Sequence, residues 1–424
     1  MLRDRYDNPI STTSAPAQAA YINGADAFLA GGAGSAEMFE EAIGHDPEFA
    51  MAHMGLARVR QMQGRGADAQ SAREVALGLA ETASEQEQGH LDAMGELIAG
   101  RGAIAYPKMR AQTDAYPRDA LAAQTCTSVF GLIGFSGQPG REAEQLAYTT
   151  KLLPHYGDDW WFLSMHAFAQ AEVGQISQAA ETIERSLNGN PRSAHGAHIK
   201  AHIHYEAGET EAGFDFMRDW YVGFEKEAML HCHISWHIAL WALEKGDIDL
   251  MWQTVDDSVR PGGAWGPALN LLTDTASILY RAEMAGVHVP QERWQEVSEY
   301  AAKFFPKPGI AFADVHAALA HAMAGNTEGL EKIRTEGTGP AGDLVRGLAE
   351  AFSALAAKKW PEATTLLLHA MADHARLGGS RAQRDLIEYA LLNALLKQGQ
   401  DAQAQMFLAT RRPLKSDAHA VAGL

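Results

Sequence analysis

The stretch WWFLSMHAFAQAEVGQISQAAETIERSLNGNP, residues 160–191, decides the fold. A proline-free run of helix-compatible residues closes on Gly174. A second helical run follows at once and closes before Pro191. Glycine tolerates the left-handed turn that ends a helix, and proline lacks the N–H that a continuing helix needs. The 32 residues therefore read as a helix, a tight glycine turn and a returning helix. HISWHIALWALEKG, residues 233–246, repeats the first half of this unit.

Working outward, glycines punctuate the chain at Gly64, Gly100, Gly137, Gly174, Gly208, Gly246, Gly286, Gly325 and Gly399. Successive gaps run from 34 to 40 residues until a last gap of 74, which spans two units with its missing mark near Lys359. Pro47, Pro117, Pro154, Pro191 and Pro261 mark the ends of several second helices. A helix–glycine–helix unit of this length is the tetratricopeptide pattern. The expected fold is all-α, a right-handed superhelical solenoid of tetratricopeptide-like helix hairpins. About ten hairpins would occupy residues 16–412, between an N-terminal extension (1–15) and a C-terminal tail (413–424). Loose segments are expected at 1–15, 136–140, 260–266, 335–342 and after Arg412.

Composition bounds the function. The 424 residues carry a formal net charge of −18, with 46% hydrophobic and 8% aromatic residues. Binding of nucleic acid needs a basic footprint, so no nucleic-acid partner is expected. Cys126 and Cys232 are too few for a disulfide framework and fit a reducing compartment. The N-terminal MLRDRYDNPISTTS has no apolar core of a secretory signal, and no apolar stretch reaches the length of a membrane span. A cytoplasmic location without a membrane partner is the expectation.

The chain has 18 histidines. Twelve fall within the 15 residues before a repeat glycine, on the first helix of a unit. Positions 13, 10, 9 and 6 before the glycine share one helical face. That face carries His90, His195, His198, His202, His233, Trp236, His237, Ser277, Tyr280 and His316, whereas the first unit shows Met51 and Met54 there. First helices line the concave side of such arrays, so these side chains would meet in one channel or bowl. His198 with His202, and His233 with His237, are i, i+4 pairs that can chelate one ion from neighbouring helices. A divalent metal is thus a candidate cofactor, with those four histidines its candidate ligands, although HExxH is absent. The plainer alternative is a polar groove of imidazoles bonded to one another, to carbonyls and to water.

Other polar residues join the set. DTASILYR places Asp274, Ser277, Tyr280 and Arg281 within two turns. Asp314 and His316, at i, i+2, do not share a face. Either aspartate can orient an imidazole from a neighbouring unit or simply cap a helix. Arg281 and Arg384 can clamp an anion or tie units together. In LGGSRAQRD, residues 377–385, Ser380 can cap a helix whose N-terminus could bind an anion. No Walker loop, dinucleotide fingerprint or nucleophile elbow occurs.

The chain resembles the tetratricopeptide repeat protein 38 family over nearly its whole length. The resemblance is densest in HIKAHIHYEAG (198–208) and HISWHIALWALEKGD (233–247). It continues in DTASILYRAEMAGV (274–287), ADVH (313–316) and GGSRAQRD (378–385). It implies a helical repeat fold and no particular activity. It singles out His198, His202, His204, His233, Trp236, His237, Asp274, Tyr280, Arg281, Asp314, His316, Gln383, Arg384 and Asp385.

Two functions fit. In the first, the inner face binds a small polar or anionic molecule, with hydrolytic or acid–base chemistry as the catalytic option. His198, His237, Asp274, Asp314 and His316 would be the catalytic set. His202, His204, His233, Trp236, Tyr280, Arg281, Gln383, Arg384 and Asp385 would contact the ligand. In the second, the array is a non-catalytic scaffold for a peptide in its concave groove, although lysines are sparse on the first helices.

Overall fold

The computed structural model describes residues 2–410 and 420–423. Among them are 22 α-helices and two short 3-10 turns. The only β-structure among them is an isolated bridge between Arg3 and Pro9. Successive helices pair into eleven antiparallel hairpins, from Ala15–Ala30 with Ser35–His45 to Arg381–Leu396 with Asp401–Ala409. Trp160–Glu172 and Ile176–Gly189 form the hairpin read from residues 160–191. Its Gly174 stands at φ +84°, where a Cβ would be strained. At the one unit without a glycine mark, Lys358 takes the left-handed conformation instead, at φ +56°. The unit before Gly64 also has its mark, Gly31 at φ +71°.

First and second helices differ in burial. Ile176–Gly189 buries one stripe, Ala179, Thr182, Ile183 and Ser186. His231–Glu244 is buried at every residue, and Phe312 to Ala322 are buried without a break. A helix lining an open groove would keep an exposed stripe. These central first helices have none, because the array wraps round them.

Bonds between distant parts of the chain close the wrap. The Arg141 guanidinium donates to the Gly379 carbonyl at 2.7 Å, and Arg376 to the Gly137 carbonyl at 3.1 Å. Arg5 pairs with Asp159 at 2.6 Å. Tyr205 donates to Asp385 at 3.1 Å. A Cβ on Gly31 would lie 2.9 Å from Leu230 and 3.1 Å from His195.

Three expectations differ from the structure. Gly137 is no hairpin turn: helix Ala120–Thr127 has only eight residues, and the glycine-rich FGLIGFSGQPG after it runs irregularly. Gly137 packs instead on Pro340 and Ala341. The N-terminal residues are not loose. Asp4 accepts the Tyr6 and Asn8 amides at 2.9 and 2.8 Å, and Tyr6 and Ile10 are buried. The 260–266 and 335–342 segments are tied down, by Arg260 on Asp256 and Glu296 and by Arg346 on the Gly337 carbonyl. Of the expected tail, residues 413–419 and 424 lie outside the described residues. Ala420 and Val421 are buried, and the Ala422 amide donates to the Met284 carbonyl at 2.7 Å. No helix among the described residues is long and apolar enough to cross a membrane.

Candidate functional site

Helices Ala194–Ala207 and His231–Glu244 bring their histidine rings together. The i, i+4 spacing puts His198 above His202 on one, and His233 above His237 on the other. All four imidazoles are buried, and each offers a nitrogen within 4.8 Å of the other three. Nε2 of His202 lies 2.8 Å from Nε2 of His198. The rings of His202 and His237 stand 4.6 Å apart at centroid, those of His198 and His233 4.8 Å.

The neighbouring helix Ala268–Met284 supplies Asp274, which accepts a hydrogen bond from His233 Nδ1 at 2.8 Å. That bond fixes the tautomer and leaves Nε2 of His233 as an acceptor. The Trp236 ring stacks on His233 with its plane nearly parallel, at 7°. Several buried polar atoms here have no partner among the described residues: both ring nitrogens of His237, Nε1 of Trp236, Oδ1 of Asp274 and Nε2 of His316. An unsatisfied buried polar group costs about 1–3 kcal/mol, so such a concentration marks a place where something else supplies bonds.

Burial holds His198 and His237 well below the usual histidine range, and the charges of the neighbouring imidazoles push the same way. His316 is pushed down to about 4 by burial, although its Nδ1 donates to the Phe312 carbonyl at 2.7 Å. His198, His237 and His316 are therefore held as neutral imidazoles, the form that ligates a cation or accepts a proton.

One side opens into a cavity. His198, His202 and His233 line it, with Asn270 and Gln383; Phe130, Met165 and Phe168 form apolar wall. Arg58 and His195 complete it. Arg58 comes from the second hairpin, more than a hundred residues before the cluster. One of its nitrogens donates to Gln61 at 2.7 Å, and its Nε has no partner. No carboxylate pairs with it among the described residues, and desolvation pushes it down to about 10.

Most of the other sequence candidates fall elsewhere. Arg281 donates to the Ala382 carbonyl at 2.6 Å and to Ser277 at 3.3 Å, which joins two first helices. Arg384 donates to the Gly379 carbonyl at 2.6 Å and pairs with Glu142. Asp385 accepts from Tyr205. Gln383 forms a capping box with Ser380, and its Nε2, without a partner, lines the cavity. Tyr280 packs in the core against Phe352. His204 points away from the cluster and bonds Glu209 at 2.8 Å. Asp314 accepts the Gly309 amide at 2.9 Å at the start of its helix, and burial pushes it up to about 7. The helix N-terminus at Arg381 does meet an anion, but one from the chain itself: both oxygens of Glu172 accept the Arg381 amide at 3.1 Å. Arg58 was missed, although it stands six residues before Gly64, on the face that the glycine register selects.

No protein-family model matches the chain. Among solved structures it is similar to human IFIT1 dimer with m7Gppp-AAAA, at 14% identity and a TM-score of 0.45, covering 93% of this chain and 89% of that one. It is similar to yeast Tom70 at 13% identity and a TM-score of 0.35, covering 92% and 82%. It is also similar to the P58(IPK) TPR domain at 12% identity and a TM-score of 0.22, covering 91% and 89%. The fold itself rests on the helix order and pairing above.

Proposed function

We propose that the chain is a binding protein for a small anion with an apolar part, held in the cavity between Arg58 and the histidine cluster. The observation that carries this reading is Arg58: a guanidinium in the wall of a largely apolar cavity, with no carboxylate paired to it. Such a charge is costly to leave unpaired, and a ligand carboxylate or phosphate would supply its partner. The methionines and phenylalanines opposite would take the apolar part. The continuous burial of the central first helices favours an enclosed ligand over a peptide in an open groove.

Thermal unfolding with benzoate and phenyl phosphate, against benzyl alcohol as neutral control, tests this. At about a hundredfold excess over its dissociation constant a ligand stabilises by roughly 2.7 kcal/mol. At least one of the two anions should raise the midpoint of the wild type and fail to raise that of Arg58→Met. Equal shifts in Arg58→Met, or no shift by either anion, would overturn the reading.

A further inference from the structure

We infer that His198, His202, His233 and His237 form a binding site for one first-row divalent transition-metal ion. The inference stands on the cluster's own geometry and does not rest on the anion reading.

Four observations support it. The four ligand nitrogens come from two adjacent helices and all lie within 4.8 Å of one another. Nitrogens about 2.0–2.1 Å from a tetrahedral ion are roughly 3.3 Å apart, so small ring rotations close the set. Second, Nε2 of His198 and Nε2 of His202 face each other at 2.8 Å. Two such nitrogens need a positive particle between them, either the proton of one tautomer or a cation that both ligate. Third, Asp274 accepts a hydrogen bond from Nδ1 of His233, the arrangement in which a carboxylate orients a metal-bound imidazole. Fourth, neither ring nitrogen of His237 has a partner, and the residue is fully buried. A histidine with both nitrogens unbonded inside the molecule is accounted for if one of them binds an ion.

The donor set selects the metal class. Four imidazole ligands suit zinc, cobalt, nickel, copper or ferrous iron, and exclude calcium and magnesium, which take oxygen ligands. Three of the four line the cavity while His237 lies behind them. A bound ion would therefore turn any further coordination position toward the cavity.

The test is titration of Co²⁺ into the untagged, chelator-treated full chain, followed by the visible absorption of the ion and by competition with Zn²⁺. One saturable equivalent per chain is expected. His198→Ala and His237→Gln should each weaken binding at least a hundredfold. Asp274→Asn should weaken it tenfold to a hundredfold. Co²⁺ should bind with neither benzoate nor phenyl phosphate present, which separates this site from the anion reading. Absence of a saturable equivalent in the folded wild type, or undiminished affinity in His198→Ala, would overturn the inference. Should the variants fail to fold, X-ray absorption of the zinc-loaded wild type decides. Three or four imidazole scatterers support the site, and two or fewer refute it.

Discussion

Replacing Gly379 by alanine tests how tightly the array closes. Gly379 stands at φ +71°, and a Cβ there would lie 2.4 Å from Cε2 of Phe312. Phe312 cannot give way easily: it is fully buried and packs on Phe130 at 5.5 Å and on His316 at 4.5 Å. The left-handed backbone costs an alanine about 1 kcal/mol. Forcing a methyl into a filled core costs a further 1–3 kcal/mol, roughly. Gly64 isolates the first contribution, because it stands at φ +74° with nothing within 4 Å of its missing Cβ. Urea unfolding followed by helical circular dichroism should therefore show a loss of about 1 kcal/mol for Gly64→Ala and roughly 2–4 kcal/mol for Gly379→Ala. Equal losses in the two variants would refute the close packing of the 378–384 turn on Phe312.

Acid should destabilise the fold. Burial depresses His231, His316 and His321 to about 4, and lowers His198 and His237 in the same sense. Depressed histidines contribute stability that is present above pH 6.5 and lost as the pH falls toward 4. Glu172 and Asp314, each raised to about 7, act oppositely, losing stability as the pH rises from about 4 to 7. With His166 and His195 also lowered by burial, the depressed histidines outnumber the two carboxyls raised to about 7, so the urea midpoint should fall between pH 7 and 5, and a midpoint that stays flat would count against these environments. Glu172→Gln removes a carboxylate that faces Arg384 at 3.7 Å and bonds the Arg381 amide. Because that carboxyl ionises unfavourably in the fold, the variant's stability relative to the wild type should rise between pH 5 and 7, measured by urea unfolding. Cys126, pushed up to about 11 by burial, and Cys232, raised further, should ignore an aromatic disulfide reagent at pH 8 and react only in denaturant.

The hairpins were legible where one glycine at a positive φ closes a long first helix, since few other residues adopt that conformation cheaply. The same logic explains Lys358, where the spacing required a turn that composition alone does not mark. Gly137 misled because its segment holds several glycines, and only contacts with Pro340 show what it does. The four clustered histidines were legible because i, i+4 spacing and glycine register place them on one face. His204 is off that face, and it points away from the cluster. The bonds of Arg281, Arg384 and Glu172 were not legible, because their partners arrive from parts of the chain about a hundred residues or more away once the array closes. Arg58 was overlooked because its neighbours Met51 and Met54 give that first helix an apolar look.

Imidazoles from separate hairpins converge in a buried cluster in which His198 and His237 are held neutral. Long-range proton–nitrogen NMR of histidine-labelled protein tests it most directly. His198 and His237 should keep neutral-imidazole nitrogen shifts from pH 8 to 6, and the Nδ1 proton of His233 should appear downfield and vanish in Asp274→Asn. Titration of His198 and His237 as free side chains near pH 6.5, with no Asp274-dependent proton on His233, would contradict the account.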